Sequence, residues 1–343
     1  MEYAVKTHSK LRKLKELLKG KSRLLIVMQD NPDPDSIASA VALARLANVL
    51  ADVHCSITHG GTVGRAENRA LVRYLDLNLR PSDEIDYKKF DLVAAVDTQP
   101  GMGNNCIPLD LVPDIVIDHH PCRSESRRSQ LIDVRSRYGA TATILLEYLR
   151  HAHLKPDTQL ATAMLYAIRS DTQDFGREAI KADAEAVGLL FPLANKRMLG
   201  EIQRGSVYRT YFNILAIALK NARVYERCIV TSLGQVDNPD IIGEVADLLL
   251  RDEDADWVLC SGFFGGKILL SLRTSEQNKN AADIVNSITA GIGTGGGHET
   301  YAGGQIPFEK ANRRQLNDLE KLILKRFLKA LGVAAGDGTK LVQ

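Results

Sequence analysis

Short apolar runs alternate with longer stretches of helical periodicity along the first half of the chain. The runs at residues 23–28, 92–96 and 115–118 consist mainly of Leu, Ile, Val and Ala, as expected for strands buried on both faces. Such alternation predicts an α/β doubly wound domain, in which a mostly parallel sheet carries helices on both faces. The predicted elements of this half are strands at residues 23–28, 53–58, 92–96, 115–118 and 131–134, and helices at residues 10–18, 36–50, 140–153 and 158–169.

The second half differs because a long helical stretch, residues 183–221, precedes another α/β pattern. Pro192 and Gly205 are expected to interrupt that stretch. The later elements are predicted as strands at residues 223–233, 256–264 and 267–273, and as helices at residues 241–250, 281–288 and 316–331. The predicted parts are an N-terminal domain at residues 1–190, a helical linker at 191–222, a smaller C-terminal α/β domain at 223–333 and a flexible tail at 334–343.

Composition narrows the range of functions. The 343 residues include 44 basic and 42 acidic side chains, so the net charge is +2 and any contact with a polyanion has to be local to a groove. The five cysteines are scattered and lack CxxC spacing, which argues against a disulfide framework and a structural zinc site. The N-terminal segment is charged, and no apolar run approaches the length of a membrane span. These features predict a soluble cytoplasmic protein.

Acidic and histidine side chains cluster at the predicted ends of four elements. The clusters are Asp33 and Asp35, then Asp97, then Asp118, His119 and His120, and finally Asp171. Because the carboxyl ends of strands in an open α/β sheet form the ligand-binding crevice, the clusters are expected to meet at one site. Taken alone, each cluster is better explained by helix capping or by a structural histidine. Their coincidence at element ends favours a shared function.

The chemistry of these side chains suits divalent cations. Carboxylate oxygens with an imidazole favour Mn²⁺, with Mg²⁺, iron or Co²⁺ as alternatives, and no thiolate is placed to select zinc. Neighbours at a strand end point to different sides, so one of His119 and His120 is expected to bind an ion and the other to face a substrate phosphate. Two divalent ions can activate water and neutralise the attacking and leaving oxygens of a phosphoryl group. The predicted reaction is therefore hydrolysis of phosphoesters.

A second candidate binding region lies in the glycine-rich segment at residues 291–304. Gly295, Gly296 and Gly297 are predicted to present consecutive N–H groups as an anion-binding nest, to which His298 adds a donor. The GxGxxG pattern in this segment follows a helix rather than a strand, so a dinucleotide-binding unit is not expected. Arg273, at the end of a predicted strand, is a candidate for a bidentate contact with phosphate or for stacking on a base. A flexible loop without function is the alternative.

In combination these motifs resemble the DHH phosphoesterase superfamily. The N-P-D-x-D loop, V-D-T, D-H-H-P and S-D-T correspond in order to its four catalytic motifs, while S-L-R-T and G-G-G-H-E-T-Y-A-G-G are similar to its DHH-associated substrate-binding domain. The resemblance implies two Mn²⁺ ions bound by Asp33, Asp35, Asp97, His119 and Asp171. It implies that Asp118 and His120 are catalytic, with His120 facing the scissile phosphate. It also implies that Arg273, the three glycines and His298 hold the substrate.

Gln29 departs from the family pattern, which usually has histidine three positions before the motif proline. An amide oxygen is a weaker ligand than imidazole for these ions, so the first metal position is expected to be loose or differently occupied. Gln29 is still a candidate metal ligand or water-holding residue.

The short two-domain layout is similar to that of oligoribonuclease and pAp phosphatase members of the superfamily. It implies hydrolysis of short nucleotides such as nano-RNA, dinucleotides or pAp-like substrates. One alternative is a nucleotide-binding regulatory module with reduced hydrolysis because of Gln29. Another is a single-strand exonuclease, which the near-neutral charge does not favour. The predicted partner is a short nucleotide or oligonucleotide rather than a membrane or long duplex DNA, and a homodimer is left open.

Overall fold

The computed structural model describes residues 2–176, 179–276, 278–308, 313–334 and 336–342. Its α-helices are α1 (Glu2–Leu18), α2 (Pro34–Ala51), α3 (Ala66–Tyr74), α4 (Thr141–His151), α5 (Thr158–Asp171), α6 (Lys181–Leu190), α7 (Lys196–Gln203), α8 (Arg209–Asn221), α9 (Asp240–Leu249), α10 (Ala281–Thr289) and α11 (Arg313–Leu331). Its strands are β1 (Arg23–Val27), β2 (His54–His59), β3 (Arg80–Pro81), β4 (Leu92–Val96), β5 (Ile115–Asp118), β6 (Leu131–Val134), β7 (Arg223–Tyr225), β8 (Cys228–Gln235), β9 (Trp257–Phe264), β10 (Lys267–Thr274), β11 (Thr294–Gly297), β12 (Tyr301–Pro307) and β13 (Thr339–Lys340). The chain divides into two compact units after Ser206.

Six described strands of the first unit form a parallel sheet in the order β3-β2-β1-β4-β5-β6. β1 and β4 are buried along nearly their whole length, which explains their continuous apolar sequences. β1 lies between β2 and β4, so the order of the strands reverses at β1. In open α/β sheets, ligands bind outside the carboxyl ends of the strands at such a switch point. The loops that follow β1 and β4 therefore meet at the edge where a ligand is expected.

Helix α2 starts in the loop after β1 and packs against α4 and α5. Asp33 caps the helix, since its Oδ1 accepts a hydrogen bond from Ser36 N at 2.9 Å, and Pro34 occupies the first helical position. The first two turns that follow, residues 36–43, are almost entirely buried, which allows the neighbouring helices to approach closely. As a result Asp35, the second residue of α2, lies in the protein interior at the end of β1.

Seven described strands of the second unit form a mixed sheet in the order β11-β12-β10-β9-β8-β7-β13. β8 and β9 are parallel, and the other pairs are antiparallel. Alternate residues of β9 face opposite sides: Trp257 packs with α10 and α11, whereas Val258 packs with α8 and α9. The sheet is thus covered by helices on both faces, and the predicted α/β class is confirmed for both units.

One strand prediction in this unit was wrong. Residues 223–233 were predicted as a single strand, but β7 and β8 form an antiparallel hairpin. Glu226 lies at the turn with a positive φ of 53°, a conformation that apolar periodicity cannot show. Near the other end of the chain, Gly338 lies so close to Tyr225 that an added Cβ would be 2.7 Å from its ring. This close approach accompanies the pairing of β13 with β7, in the segment where the sequence predicts a flexible tail.

The helical segment between the two predicted domains contributes to both units. α7 packs against α3 and α5 in the first unit, and α8 packs against β8 in the second. The sequence predictions include neither α3 nor the two-residue strand β3, because α3 is short and largely polar. Within the described residues, no helix is both long and apolar enough to cross a lipid bilayer.

Candidate metal centre

Asp35 is held by the start of helix α4. Its Oδ2 accepts a hydrogen bond from Thr141 N at 2.6 Å, and its Oδ1 accepts one from Ala142 N at 2.8 Å. These N–H groups have no partner within a helix, so the carboxylate satisfies them and lies at the positive end of the α4 dipole. A buried carboxylate is thereby fixed in one orientation at the carboxyl edge of the sheet.

Asp97 directly follows β4 and is 1% exposed. Its Oδ1 accepts a hydrogen bond from Thr141 Oγ1 at 2.9 Å. Its φ of 56° lies in the left-handed region, where Asp is tolerated better than most residues but still carries a conformational cost. Such strain is typical of functional sites, and here it directs a second carboxylate towards Asp35.

His119 faces two carboxylates. Its Nε2 lies 3.1 Å from Asp171 Oδ2 and 3.6 Å from Asp97 Oδ1. Its Nδ1 lies 3.1 Å from the carbonyl oxygen of Tyr138, which can only accept, so Nδ1 carries a proton and donates it. In the neutral ring, the lone pair of Nε2 then points at the two carboxylates. A cation between Nε2 and these oxygens resolves the repulsion, which is the arrangement of a metal-binding histidine with its second nitrogen bonded to a carbonyl.

The electrostatics of the carboxylates also call for a cation. Burial raises the pKa of the Asp35 carboxyl to about 6, although nearby His119 lowers it and Asp33 adds to the increase. Burial and the neighbouring carboxylates raise the pKa of Asp97 well above its usual value. Keeping both groups charged near neutral pH costs free energy unless positive charge lies between them.

Two sets of three side chains place one ligand atom each within 4.8 Å of one another. The sets are Asp35, His119 and Asp171, and Asp97, His119 and His120. Oxygen donors with imidazole fit a manganese-type ion, and the nearest cysteine in sequence, Cys122, is exposed and in neither set. Asp33 belongs to the same group of negative charges, since its charge raises the pKa values of Asp35 and Asp97. Its Oδ1 also caps α2.

Asp118 is fully buried and holds His120. Asp118 Oδ1 accepts hydrogen bonds from His119 N at 2.7 Å and from His120 Nδ1 at 2.8 Å. Its Oδ2 accepts one from Gln99 Nε2 at 2.6 Å. Burial lowers the pKa of His120, but the bond to Asp118 and the surrounding carboxylates outweigh it and raise the pKa to about 9. Asp118 therefore orients His120 through Nδ1.

Gln29 lies just beyond β1 and is half-buried. Its backbone forms an antiparallel bridge with Asn105, and the next residue, Asp30, donates its N–H to Asn104 O at 2.6 Å. These bonds fix the path of the chain towards Asp33. The described contacts assign no partner to the Gln29 side chain.

Several residues of the site are absent from the sequence predictions. Thr141 contacts Asp35 and Asp97, and Gln99 contacts Asp118. Asp183 supports the approach to α4, because it accepts hydrogen bonds from Gly139 N at 2.9 Å and from Thr143 Oγ1 at 2.6 Å. The helix-start position of Thr141 is a local signal, but its partners are distant in sequence and could not be read from it.

The residues predicted to hold substrate lie in the second unit. Arg273 donates to Ser271 Oγ at 2.8 Å, pairs with Asp247 and lies 5.7 Å from the ring centroid of Tyr301. The rings of His298 and Tyr301 are 4.6 Å apart between centroids. Arg273 and His298 therefore both lie next to the Tyr301 ring.

The predicted anion-binding nest is not formed. Gly295, Gly296 and Gly297 belong to strand β11, which pairs with β12. In a strand, successive N–H groups point to opposite sides, so they cannot converge on one anion. The prediction of an anion-binding nest was wrong because the three glycines are extended in a strand. A nest needs successive residues in right-handed and left-handed conformations.

Each of the two units matches the model of a known protein family. The DHH family, N-terminal domain, matches residues 23–168, and the DHHA1 domain matches residues 226–326. An uncharacterized protein of Methanocaldococcus jannaschii is 34% identical over 333 residues, covering 94% of this chain and 67% of that protein. The manganese-dependent inorganic pyrophosphatase of Bacillus subtilis is 29% identical over 163 residues, which are 44% of this chain and 48% of that enzyme.

Solved structures share the fold. An exopolyphosphatase-related protein from Bacteroides fragilis aligns with a TM-score of 0.72 at 14% identity, covering 94% of this chain and 97% of that one. RecJ from Thermus thermophilus in complex with Mn²⁺ aligns with a TM-score of 0.55 at 16% identity, covering 97% of this chain and 55% of RecJ. At these identities the likeness establishes the architecture of the chain and nothing about its substrate.

Proposed function

Because the chain belongs to the DHH phosphoesterase superfamily, we propose that it is a manganese-dependent hydrolase of short nucleotides, acting as a phosphodiesterase or phosphatase. The observation that carries this proposal is the meeting of Asp35, Asp97, His119 and Asp171 at the switch point of the sheet. The names of the relatives, a manganese-dependent pyrophosphatase, an exopolyphosphatase-related protein and RecJ with Mn²⁺, support metal-dependent cleavage of phosphate compounds.

In this proposal two divalent ions are shared among six side chains, namely Asp33, Asp35, Asp97, His119, Asp171 and Gln29. When bound, the ions supply a water of lowered pKa and positive charge next to the phosphoryl oxygens. The protein's own contribution is orientation. Thr141 and the α4 N-terminus hold two of the carboxylates, and the Tyr138 carbonyl fixes the tautomer of His119.

His120 is proposed to bind the scissile phosphate. Its hydrogen bond to Asp118 favours the protonated imidazole, which offers Nε2–H as a charged donor to a phosphoryl oxygen. Asp118 holds the ring through Nδ1, and Gln99 holds Asp118 in turn. A donor fixed in this way stabilises the charge that builds up on the phosphoryl oxygens without reorganising during the reaction.

Arg273 and His298 are proposed to bind another phosphate or a base of the substrate. Arg273 has an ion-pair partner and an aromatic neighbour, so its guanidinium is held in one orientation rather than sampling solvent. The flat Tyr301 ring beside both side chains is suited to stacking. Gly296 and Gly297 are exposed residues of the edge strand β11 that precedes His298.

The alternative of a nucleotide-binding module rests on Gln29. The backbone bridge to Asn105 holds Gln29 at the start of the metal loop, where the family usually has a histidine. If the weaker ligand abolishes hydrolysis, the protein binds nucleotide in Mn²⁺ without releasing product.

The proposal is tested by measuring product release from a dinucleotide, a nucleoside bisphosphate, a cyclic dinucleotide and pyrophosphate in Mn²⁺, Mg²⁺ and chelator. Wild-type protein is expected to hydrolyse a nucleotide substrate in Mn²⁺ and to lose activity in chelator. Asp97→Asn and His119→Ala are each expected to lower kcat by about 10³-fold or more, since each removes a group that holds the ions. Circular dichroism checks that the variants remain folded.

Asp110→Asn is the matched control, because it removes an exposed carboxylate outside the site. Full activity in both site variants would overturn the metal-centre assignment. Nucleotide binding without turnover by the wild-type protein would favour the regulatory alternative, and turnover of pyrophosphate alone would reject nucleotides as substrates.

A further inference from the structure

A groove of about 900 Å³ runs between helices α3 and α7, and all of its lining residues belong to the first unit. Small residues open it: Ala66 and Ala70 on α3 face Gly200 on α7. At one end, an added Cβ on Gly205 would lie 2.4 Å from the carbonyl carbon of Ala66, so the chain closes tightly there. The groove is separate from the residues of the metal centre.

The groove is strongly basic in a chain that is nearly neutral. Four of its lining side chains are cationic and one is anionic: Arg73, Lys196, Arg197, Arg204 and Glu201. All five residues are exposed, and Glu201 pairs with Arg197 at 3.1 Å. Since the net charge of the whole chain is only +2, this is a local concentration of positive charge. It suits a partner with several closely spaced negative charges.

The lining also contains apolar surface. Tyr74 and Met198, both half-buried, line the groove together with the cationic side chains. Inorganic polyphosphate has no apolar part to cover such a floor, whereas an oligonucleotide has bases that stack on aromatic or apolar side chains while its phosphates contact Lys and Arg. The mixed lining therefore favours a single nucleic-acid strand over a purely anionic polymer.

Helix α3 connects the groove to the metal loop. Asn68 is buried and donates from Nδ2 to the carbonyl oxygen of Pro32 at 3.0 Å, and Pro32 directly precedes Asp33. From Asn68 to Arg73 the helix extends about 7.5 Å away from this contact. Helix α3, which forms one wall of the groove, is thus bonded to the loop that carries Asp33.

We propose that this groove binds the sugar-phosphate backbone of a single-stranded oligonucleotide, in the part of the strand that extends beyond the nucleotides at the metal centre. The inference rests on the proposed function, because it assigns the rest of a substrate cleaved there. According to this inference, the substrates of the enzyme include oligonucleotides longer than a dinucleotide. The inference also identifies the local basic groove that a nearly neutral chain needs in order to bind a nucleic-acid strand.

The test uses the full-length triple variant Arg73→Ala/Lys196→Ala/Arg204→Ala. Its KM for a single-stranded dodecanucleotide in Mn²⁺ is expected to rise about tenfold, whereas kcat and KM for a dinucleotide stay at the wild-type values. The slope of log affinity against log salt for the dodecanucleotide is expected to fall by about 2, since each phosphate contact contributes about 0.7 for a single strand. The control is Arg128→Ala/Arg150→Ala/Lys155→Ala, which removes three exposed cations outside the groove.

A binding arm separates this proposal from the proposed function. Fluorescence anisotropy of a labelled dodecanucleotide in chelator reports the groove without catalysis, so it is decisive even if the wild-type protein hydrolyses no nucleotide. Weaker binding of the triple variant than of the control variant supports the groove. The proposal is overturned if both variants bind the dodecanucleotide equally, or if the triple variant loses as much activity on the dinucleotide as on the dodecanucleotide. It is also overturned if polyphosphate displaces the labelled strand and unlabelled nucleic acid does not.

Discussion

Thr141 links two carboxylates that come from different elements. Its N–H donates to Asp35 at the start of α2, and its hydroxyl donates to Asp97 at the end of β4. Because Thr141 is fully buried, neither bond competes with bulk water. The residue therefore holds two like charges in place before any cation binds, which lowers the cost of organising the site.

Thr141→Val is expected to lower Mn²⁺ affinity about 10- to 100-fold, the usual effect of removing a hydrogen bond to a metal ligand. Valine keeps the shape and the backbone N–H, so Asp35 retains its bonds, but Asp97 loses the donor at 2.9 Å. Isothermal titration calorimetry of the chelator-treated protein measures the affinity directly. Thr141→Ser keeps the hydroxyl and is expected to bind as the wild type does; a similar loss in both variants would show that the methyl group matters instead.

For single residues, the sequence predicts which side chains meet at the site but not which hydrogen bonds hold them there. Asp35, Asp97, His119 and Asp171 follow predictable element ends, and the structure brings them together. Thr141 lies 106 positions from Asp35 in sequence, and such a contact has no local signature.

Helix α10 lies unusually close to the edge of the second sheet, and glycines make this possible. An added Cβ on Gly295 would lie 2.5 Å from Val285 Cγ1, and one on Gly304 would lie 3.0 Å from Thr289 Cγ2. Val285 is fully buried and has no room to move away. At Gly295, therefore, the lack of a side chain serves helix packing, which differs from the anion binding suggested by the sequence.

Gly295→Ala is expected to destabilise the protein by about 2 kcal/mol, because the new methyl group overpacks the contact with α10. Gly296→Ala is the matched control in the same strand, since an added Cβ there has nothing within 4 Å. Its expected effect is within about 0.5 kcal/mol. Urea denaturation of both variants gives the comparison, and equal stabilities would mean that α10 shifts freely away from β11.

The helices and strands differ in how far their formation depends on nearby sequence alone. Buried parallel strands such as β1 and β4 are continuous apolar runs, so the sequence predicts them well. The β7–β8 hairpin depends on the left-handed conformation of Glu226, and α3 is a short, largely polar helix in which only Ala66, Asn68 and Leu71 are buried. Both elements depend on tertiary contacts, which the spacing of apolar residues along the chain does not report.

Across the whole molecule, the position of the candidate centre follows from sheet topology. A strand order that reverses at β1 puts the loop of Asp33 and Asp35 beside the loop of Asp97. The alternation of elements was enough to predict a parallel α/β sheet, and a parallel sheet brings its strand ends to one edge. What the alternation could not predict was the division of residues 191–222, since the packing of α7 and α8 depends on which unit offers each helix an apolar surface.

The same buried charges make stability depend on pH when metal is removed. The pKa of Asp35 is about 6 in the folded protein against 3.8 ordinarily, and that of Asp97 is also raised, both mainly by burial. Between these values the folded state binds more protons than the unfolded state, so stability falls as pH rises. His120 acts in the same direction at higher pH. Burial opposes its charge, but Asp118 raises its pKa to about 9, and its contribution is lost between 6.5 and that value.

We therefore expect these groups to lower the melting temperature of the chelator-treated protein as pH rises from about 4 to about 9. Asp35 and Asp97 contribute to this fall together, since burial raises the pKa of both carboxyl groups. Mn²⁺ offsets the charge of the ionised carboxylates and binds the folded state, so the increase in melting temperature that it causes should be larger at pH 8 than at pH 5. Differential scanning fluorimetry with and without Mn²⁺ measures both trends, and Asp110→Asn should reproduce them. A chelated protein that becomes more stable between pH 4 and 6 would show that the carboxylates are already compensated by groups of the protein itself.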